Sequence, residues 1–125
     1  MKRKTLTPLG ETEMEVLQHV WHLESATVAQ VQERILVSRK VAYTTIMTVM
    51  KKLSDKGYLS YKKDGATYVY SAARTQEDVQ QTLITNLVDQ AFNGSSAALI
   101  QTLVKKEALS DKERENILKL IEDLN

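Results

Sequence analysis

In the stretch "AYTTIMTVMKKLSDKGYLSYKKDGATYVY", residues 42–70, Thr44, Thr48 and Lys51 stand four and three residues apart, with Tyr43, Thr45 and Lys52 beside them. Lys62 and Lys63 follow next to an Asp-Gly pair. If the first part is helical, about 100° of turn per residue brings Thr44, Thr48 and Lys51 to one outward face, with Thr45 and Lys52 on a flank. A Thr hydroxyl hydrogen-bonds to a base edge or a phosphate, and its methyl can meet the thymine methyl. Lys ammonium groups neutralise backbone phosphates, which supplies affinity and register rather than sequence preference. Tyr43, at the helix start, can pack on the sugar–phosphate backbone or hydrogen-bond to a phosphate. The competing reading is a solvated charged face, the ordinary fate of a Lys cluster. Against it, three β-branched Thr are poor choices for helix stability alone, so another demand acts on this face.

Other chemistries find little support. His19 and His22, three apart in the first helical segment, have no Cys to complete a metal site and only Glu15 as a near acidic neighbour; they read as surface or boundary residues. The chain has no Cys and only 4 Gly, with no phosphate-cradling loop and no defensible Ser-His-Asp set. No enzyme, cofactor or metal is expected.

The elements around these residues can be read from periodicity. Residues 11–22, "ETEMEVLQHVWH", set Met14, Leu17, Val20 and Trp21 on one face of a helix whose first turn is acidic, as the helix dipole favours. Trp21 reads as core. "TVAQVQERIL" offers Thr27 as N-cap and Gln30 three residues on, a capping-box pattern, with Val28, Val31 and Ile35 as its buried stripe. The third helix, about Ala42 to Lys56, carries Ile46, Val49, Met50 and Leu53 on its inner side and ends at Gly57, where a left-handed C-cap residue is expected. "YLSYKKDGATYVYS" then changes to a period of two: Leu59 and Tyr61 alternate with Ser60 and Lys62, and Thr67 and Val69 with Tyr68 and Tyr70. Asp64-Gly65 predicts a two-residue hairpin turn with positive φ at both positions. An isolated hairpin is marginal in water, so one face must lie on the helices. Three helices followed by a basic hairpin describe a winged helix-turn-helix.

From Thr75 the pattern is helical again. Thr75 with Asp78 caps a helix bearing Val79, Leu83, Ile84, Leu87, Val88, Ala91 and Phe92, and "NGSS" (93–96) breaks it. Leu99, Leu103 and Val104 mark a second helix, and Ser110 with Glu113 forms a capping box for a third carrying Ile117, Leu118, Leu120, Ile121 and Leu124. Three thin helices cannot bury that much apolar surface by themselves, and a second copy is the economical cover. Leu83, Leu87, Leu99, Leu103, Leu120, Ile121 and Leu124 form the expected dimer interface.

The expected fold is therefore mainly α: a winged helix-turn-helix over 1–74 and a helical dimerisation region over 75–125. Charge divides in the same place, with 12 Lys and Arg against 7 Asp and Glu through Arg74, then 5 against 9. A basic half that binds and an acidic half that does something else fit this asymmetry. The N-terminal "MKRKTLTPLG" has charge without an apolar run, and no stretch approaches the ~20 apolar residues of a membrane span. The expectation is a soluble, cytoplasmic protein of 125 residues without membrane insertion.

"AYTTIMTVMKKLSDKGYL" followed by "KKDGATYVYS" closely resembles the penicillinase-repressor family of winged-helix transcriptional regulators, which also includes methicillin-resistance and copper-transport repressors. "LGETEMEVLQHVW" looks like the first helix of that family, and the C-terminal helices resemble its dimerisation region, so the likeness covers nearly the whole chain. The resemblance implies a homodimer that binds a partly palindromic double-stranded operator and blocks transcription. Carried over by position, Tyr43, Thr44, Thr45, Thr48 and Lys52 match the recognition helix, and Lys62 and Lys63 the wing. Two departures stand out. Copper-responsive members carry C-terminal Cys pairs, which this chain lacks, so copper sensing is not expected. Beta-lactam-responsive members are inactivated when a membrane-bound sensor protease cuts an Asn-Phe bond, where "LIQTLVKKEAL" places Thr102-Leu103. Release by that partner does not follow from the resemblance. A rival of another class is a winged helix serving as a protein-interaction scaffold. A protein-binding face would favour exposed aromatic and aliphatic residues, whereas the third helix shows Thr and Lys, with Met47 at its edge the one hint to the contrary.

Overall fold

The computed structural model describes residues 9–105 and 110–123. Its first helix, α1 (Glu11–Leu23), opens where the Gly10 N–H donates to Glu13 Oε1 at 2.9 Å. Val16, Leu17 and Val20 are its buried residues. The inner face thus differs from the sequence expectation: Val16 joins it, while Met14 and Trp21 pack on the core only partly buried. Trp21 donates its indole N–H to the Arg74 carbonyl at 3.0 Å. A two-residue strand, β1 (Ser25–Ala26), precedes α2 (Val28–Leu36). The capping box forms as expected, with Gln30 N–H donating to Thr27 Oγ1 at 3.2 Å and Thr27 N–H to Gln30 Oε1 at 2.8 Å.

Helix α3 (Tyr43–Asp55) buries Ile46, Met50 and Leu53 completely, with Val49 half-buried at the edge. Its end is a Schellman closure: Gly57 takes φ +88°, its N–H donates to the Ser54 carbonyl at 3.1 Å, and the Tyr58 N–H donates to the Leu53 carbonyl at 2.9 Å. That closure turns the chain directly into the hairpin β2 (Leu59–Asp64) and β3 (Thr67–Ala72). The sheet is antiparallel in the order β1-β3-β2. Asp64 pairs with Thr67, so the turn residues are Gly65 and Ala66, one position later than the expected Asp64-Gly65. Only Gly65 of the pair has positive φ, at +65°, as in two-residue turns that begin with Gly. The ladder claims Asp64 because pairing it opposite Thr67 adds one more rung before the chain must reverse.

The core lies where α1 and α2 pack on α3 and the base of the hairpin closes the layer. Leu17, Ile35, Ile46, Met50, Leu53 and Tyr58 are essentially without exposure there. Each such side chain contributes roughly 1.5–3 kcal/mol relative to staying in water.

Helix α4 (Gln76–Ala91) begins at Thr75, whose hydroxyl accepts from the Asp78 N–H at 3.0 Å, and Val79 enters the same core fully buried. Asn93 and Gly94, both at positive φ, end that helical run. Then follow α5 (Ser96–Lys105), capped by Ser95, and α6 (Asp111–Asp123), whose Ser110–Glu113 capping box forms with bonds of 3.1 and 3.2 Å.

The chain divides into two compact units between Thr82 and Leu83, inside α4 and later than the change of charge after Arg74. In the second unit Val88 is buried, Leu99 is half-buried, and Leu83, Ile84, Leu87 and Leu103 are exposed. Leu124 lies outside the described residues, and for Leu120 and Ile121 only the backbone is described. Among the described residues no helix is long and apolar enough to cross a membrane.

Candidate nucleic-acid interface

Because Ile46, Met50 and Leu53 fasten one side of α3 to the core, the opposite side must face outward. Tyr43, Thr44, Thr45, Thr48, Lys51 and Lys52 are all exposed there. The two lysines diverge. Lys51 borders a groove between α3 and the hairpin, whereas Lys52 borders a shallow hollow between α3 and the start of α1. Lys56, one residue beyond the helix, is held in an ion pair instead: its Nζ donates to Glu13 Oε1 at 2.8 Å. Burial raises the Glu13 pKa, but the Gly10 N–H and the Lys56 ammonium outweigh it and hold the carboxyl below its ordinary range. Arg39, in the α2–α3 turn, is likewise paired, with its guanidinium 2.6 Å from Glu15 Oε1. Its hydrogen bond lowers the Glu15 pKa against an opposing effect of burial. The α1–α3 packing and the α2–α3 turn are therefore pinned by charges that the outer face does not use.

His19 accepts a hydrogen bond at Nδ1 from Arg34 Nε at 3.0 Å. Burial, then the Arg34 charge, push its pKa down, which keeps the ring neutral and able to accept. His22 is exposed on the same helix.

The strand pleat separates the two wing lysines. Lys63 pairs with Tyr68 on the face that also carries Leu59, Tyr61 and Tyr70, while Lys62 pairs with Val69 on the other. Their adjacency in sequence hides this, because successive strand residues point to opposite faces.

The sequence reading also passed over the tyrosines of the hairpin as site residues. Tyr61 and Tyr68 are 55% and 47% exposed, whereas Tyr70, which pairs with both Ala26 and Tyr61, is buried. Tyr61 meets Tyr68 edge-to-face with ring centres 5.1 Å apart, and lies tilted against Tyr70 at 5.7 Å. Burial raises the Tyr70 pKa, helped by Tyr61, Tyr68, Tyr43 and Asp55, so its hydroxyl stays protonated and able to donate. Together the three rings face Met47, Thr48, Lys51, Ser54 and Asp55 across a groove of about 600 Å³. The period of two in "YLSYKKDGATYVY" does place these rings on one face. Only the pairing register shows Tyr61 opposite Tyr70.

An exposed Thr and Lys helix face beside a basic hairpin is the arrangement of a DNA-reading winged helix-turn-helix. The penicillinase repressor family model matches residues 9–123. The chain belongs to the penicillinase repressor family. It is 34% identical over 98 residues to the transcriptional regulator BlaI of Mycobacterium tuberculosis, spanning 76% of this chain and 71% of that protein. It is 26% identical over 113 residues to the methicillin resistance regulatory protein MecI of Mammaliicoccus sciuri, spanning 90% and 92%. Among solved structures, it is similar to the monomeric form of Bacillus licheniformis BlaI in complex with the blaP half-operator, with TM-score 0.51 and 25% identity over 61% of this chain and 93% of that one. The fold is a winged helix-turn-helix, mainly α with a small three-stranded antiparallel sheet. The family is one of transcriptional regulators.

Proposed function

We propose that this penicillinase repressor family member works in the cytoplasm as a homodimer on an operator of two inverted half-sites, with α3 in the major groove of each. Its activity is that of a DNA-binding transcriptional repressor. The observation that carries this reading is the outer face of α3, which exposes Thr44, Thr48 and Lys51 while Ile46, Met50 and Leu53 on the opposite side are fully buried. The complex of the Bacillus licheniformis relative with a half-operator supports it, over a shared fold. Residues 75–125 join two such units. The exposed Leu83, Ile84, Leu87 and Leu103 support that role, since a second copy would remove them from water.

Selection of duplexes from a random pool tests the reading. Recovered sites should contain inverted repeats whose centres lie about 10 base pairs or a multiple apart. A pool with no enriched sequence would overturn it. Within the recovered site, Thr48→Ala should cost about 1–3 kcal/mol and much less on random DNA, because an edge contact is lost rather than a phosphate contact. Equal loss on both would make Thr48 a positioning residue. Changing Lys62 and Lys63 to Ala should weaken binding to all duplexes alike and flatten the log–log salt slope by roughly 1 to 2 units. An unchanged slope would mean that the wing does not touch the backbone.

Derepression by cleavage at Thr102–Leu103 would meet a structural obstacle. That bond lies inside α5, with the Thr102 hydroxyl donating to the Ala98 carbonyl at 2.9 Å. A protease would need the helix to open locally first.

A further inference from the structure

With α3 in the major groove and the basic hairpin against the backbone beside it, as proposed above, one sugar–phosphate strand passes between the two elements. That strand has to cross between them. The protein has a groove at this place, walled by Thr48 and Lys51 of α3 and by Tyr61 and Tyr68 of the hairpin. We propose that this groove seats the crossing strand, with the Tyr61 and Tyr68 hydroxyls donating to its phosphate oxygens and Lys51 supplying the countercharge. The proposal rests on the DNA-binding reading above and assigns it a further set of positioning residues.

Three observations favour a phosphate-bearing strand in this groove. First, Tyr61 and Tyr68 keep about half their surface exposed on a hairpin that buries Tyr70, so their rings are not spent on the core. Second, the two rings hold each other edge-to-face at 5.1 Å. That contact restrains both side chains and so limits the rotamer freedom lost when the hydroxyls engage a partner. A Tyr has only two side-chain torsions to fix in any case. Third, the charges are graded along the α3 wall. Lys51 has no ion-pair partner among the described residues, and Lys63 lies on the same hairpin face as the tyrosines. Asp55, four residues beyond Lys51, repels phosphate and so marks where the seat ends. An oxygen of a phosphate diester carries full negative charge, and hydrogen bonds to charged groups are about twice as strong as neutral ones.

The test uses the full-length chain and duplexes carrying the selected operator, in which each phosphate in turn is replaced by an uncharged methylphosphonate. Wild-type protein should lose about tenfold in affinity at one phosphate or two adjacent ones outside the bases read by α3. Tyr61→Phe/Tyr68→Phe keeps both rings and removes both donors. It should bind the unmodified operator about 10- to 100-fold more weakly, with the same factor on random DNA. It should also lose clearly less than wild type does from the methylphosphonate at that position, the remainder being the Lys51 charge, and a merely structural effect would not cause this. Its salt slope should equal that of wild type because no charge is removed, whereas Lys51→Gln should make the slope shallower by about 1. Tyr68→Phe alone, as the milder change, should show part of the same loss and of the same reduced response. A double Phe protein that binds as tightly as wild type, or that loses as much affinity as wild type does at every modified position, would overturn the seat while leaving the DNA-binding reading intact. A wild-type protein that binds no duplex would instead overturn that reading, and the seat with it.

Discussion

A fragment ending at Thr82 is expected to stay folded yet bind the operator about 10² to 10⁴ times more weakly than the full chain. The magnitude comes from geometry rather than from lost contacts. One winged helix reaches few base edges, and joining two makes the second half-site engagement intramolecular. The end-point matters. Cutting after Arg74 would remove Val79, which is fully buried in the N-terminal core, and the Thr75 hydroxyl that caps α4. Ending at Thr82 keeps both and discards Leu83, Ile84, Leu87 and Leu103, which lie exposed in the single chain. Sedimentation should show the full chain as a dimer at micromolar concentration and the fragment as a monomer. A monomeric full chain, or a fragment with undiminished operator affinity, would remove the C-terminal region from the binding mechanism.

How far the sequence anticipated this molecule depended on whether a feature is local. The capping boxes at Thr27 and Ser110 and the Gly57 closure of α3 each need only a few neighbouring residues, and all three form as expected. The division of α3 into a buried and an exposed face was legible for the same reason, since helical spacing alone decides which residues share a side. Features set by contacts across the chain were not. β1 has two residues and therefore no period to detect; it exists because Ser25 and Ala26 meet Ser71 and Tyr70. The hairpin turn moved to Gly65-Ala66 because strand register outweighed a strong local dipeptide signal. Tyr61 and Tyr70 share a face and a residue type, yet one is 55% exposed and the other 6%. Tyr70 lies on the central strand, flanked by both β1 and β2, and Tyr61 on the edge strand, and nothing in the alternation of residues gives the strand order. Val16 belongs to the same class: it is buried by what packs on α1, not by its position in the helical repeat alone.

The two sides of α3 should respond to truncation in opposite ways, and Leu53→Ala is the sharper case. Leu53 is fully buried, and its carbonyl accepts the Tyr58 N–H that turns the helix into the hairpin. Removing a buried Leu side chain loses its transfer free energy and leaves a cavity that the surrounding packing fills only in part, so the expected cost is about 2–5 kcal/mol. For a unit of this size each kcal/mol lowers the midpoint by roughly 4–8 °C, so thermal unfolding should shift by about 8 °C or more. Thr48→Ala, on the exposed side, should stay within about 0.5 kcal/mol of wild-type stability. Affinity should reverse the order. Well below its melting transition, Leu53→Ala still presents Thr44, Thr48 and Lys51, so the folded protein should discriminate operator from random DNA nearly as wild type does. Thr48→Ala, though stable, should lose about 1–3 kcal/mol of that discrimination. Unfolding of both variants by urea, followed by operator binding at low temperature, separates the two effects. A Leu53→Ala protein destabilised by less than about 1 kcal/mol would mean that the core relaxes around the gap, and that α3 is held less firmly than its complete burial indicates.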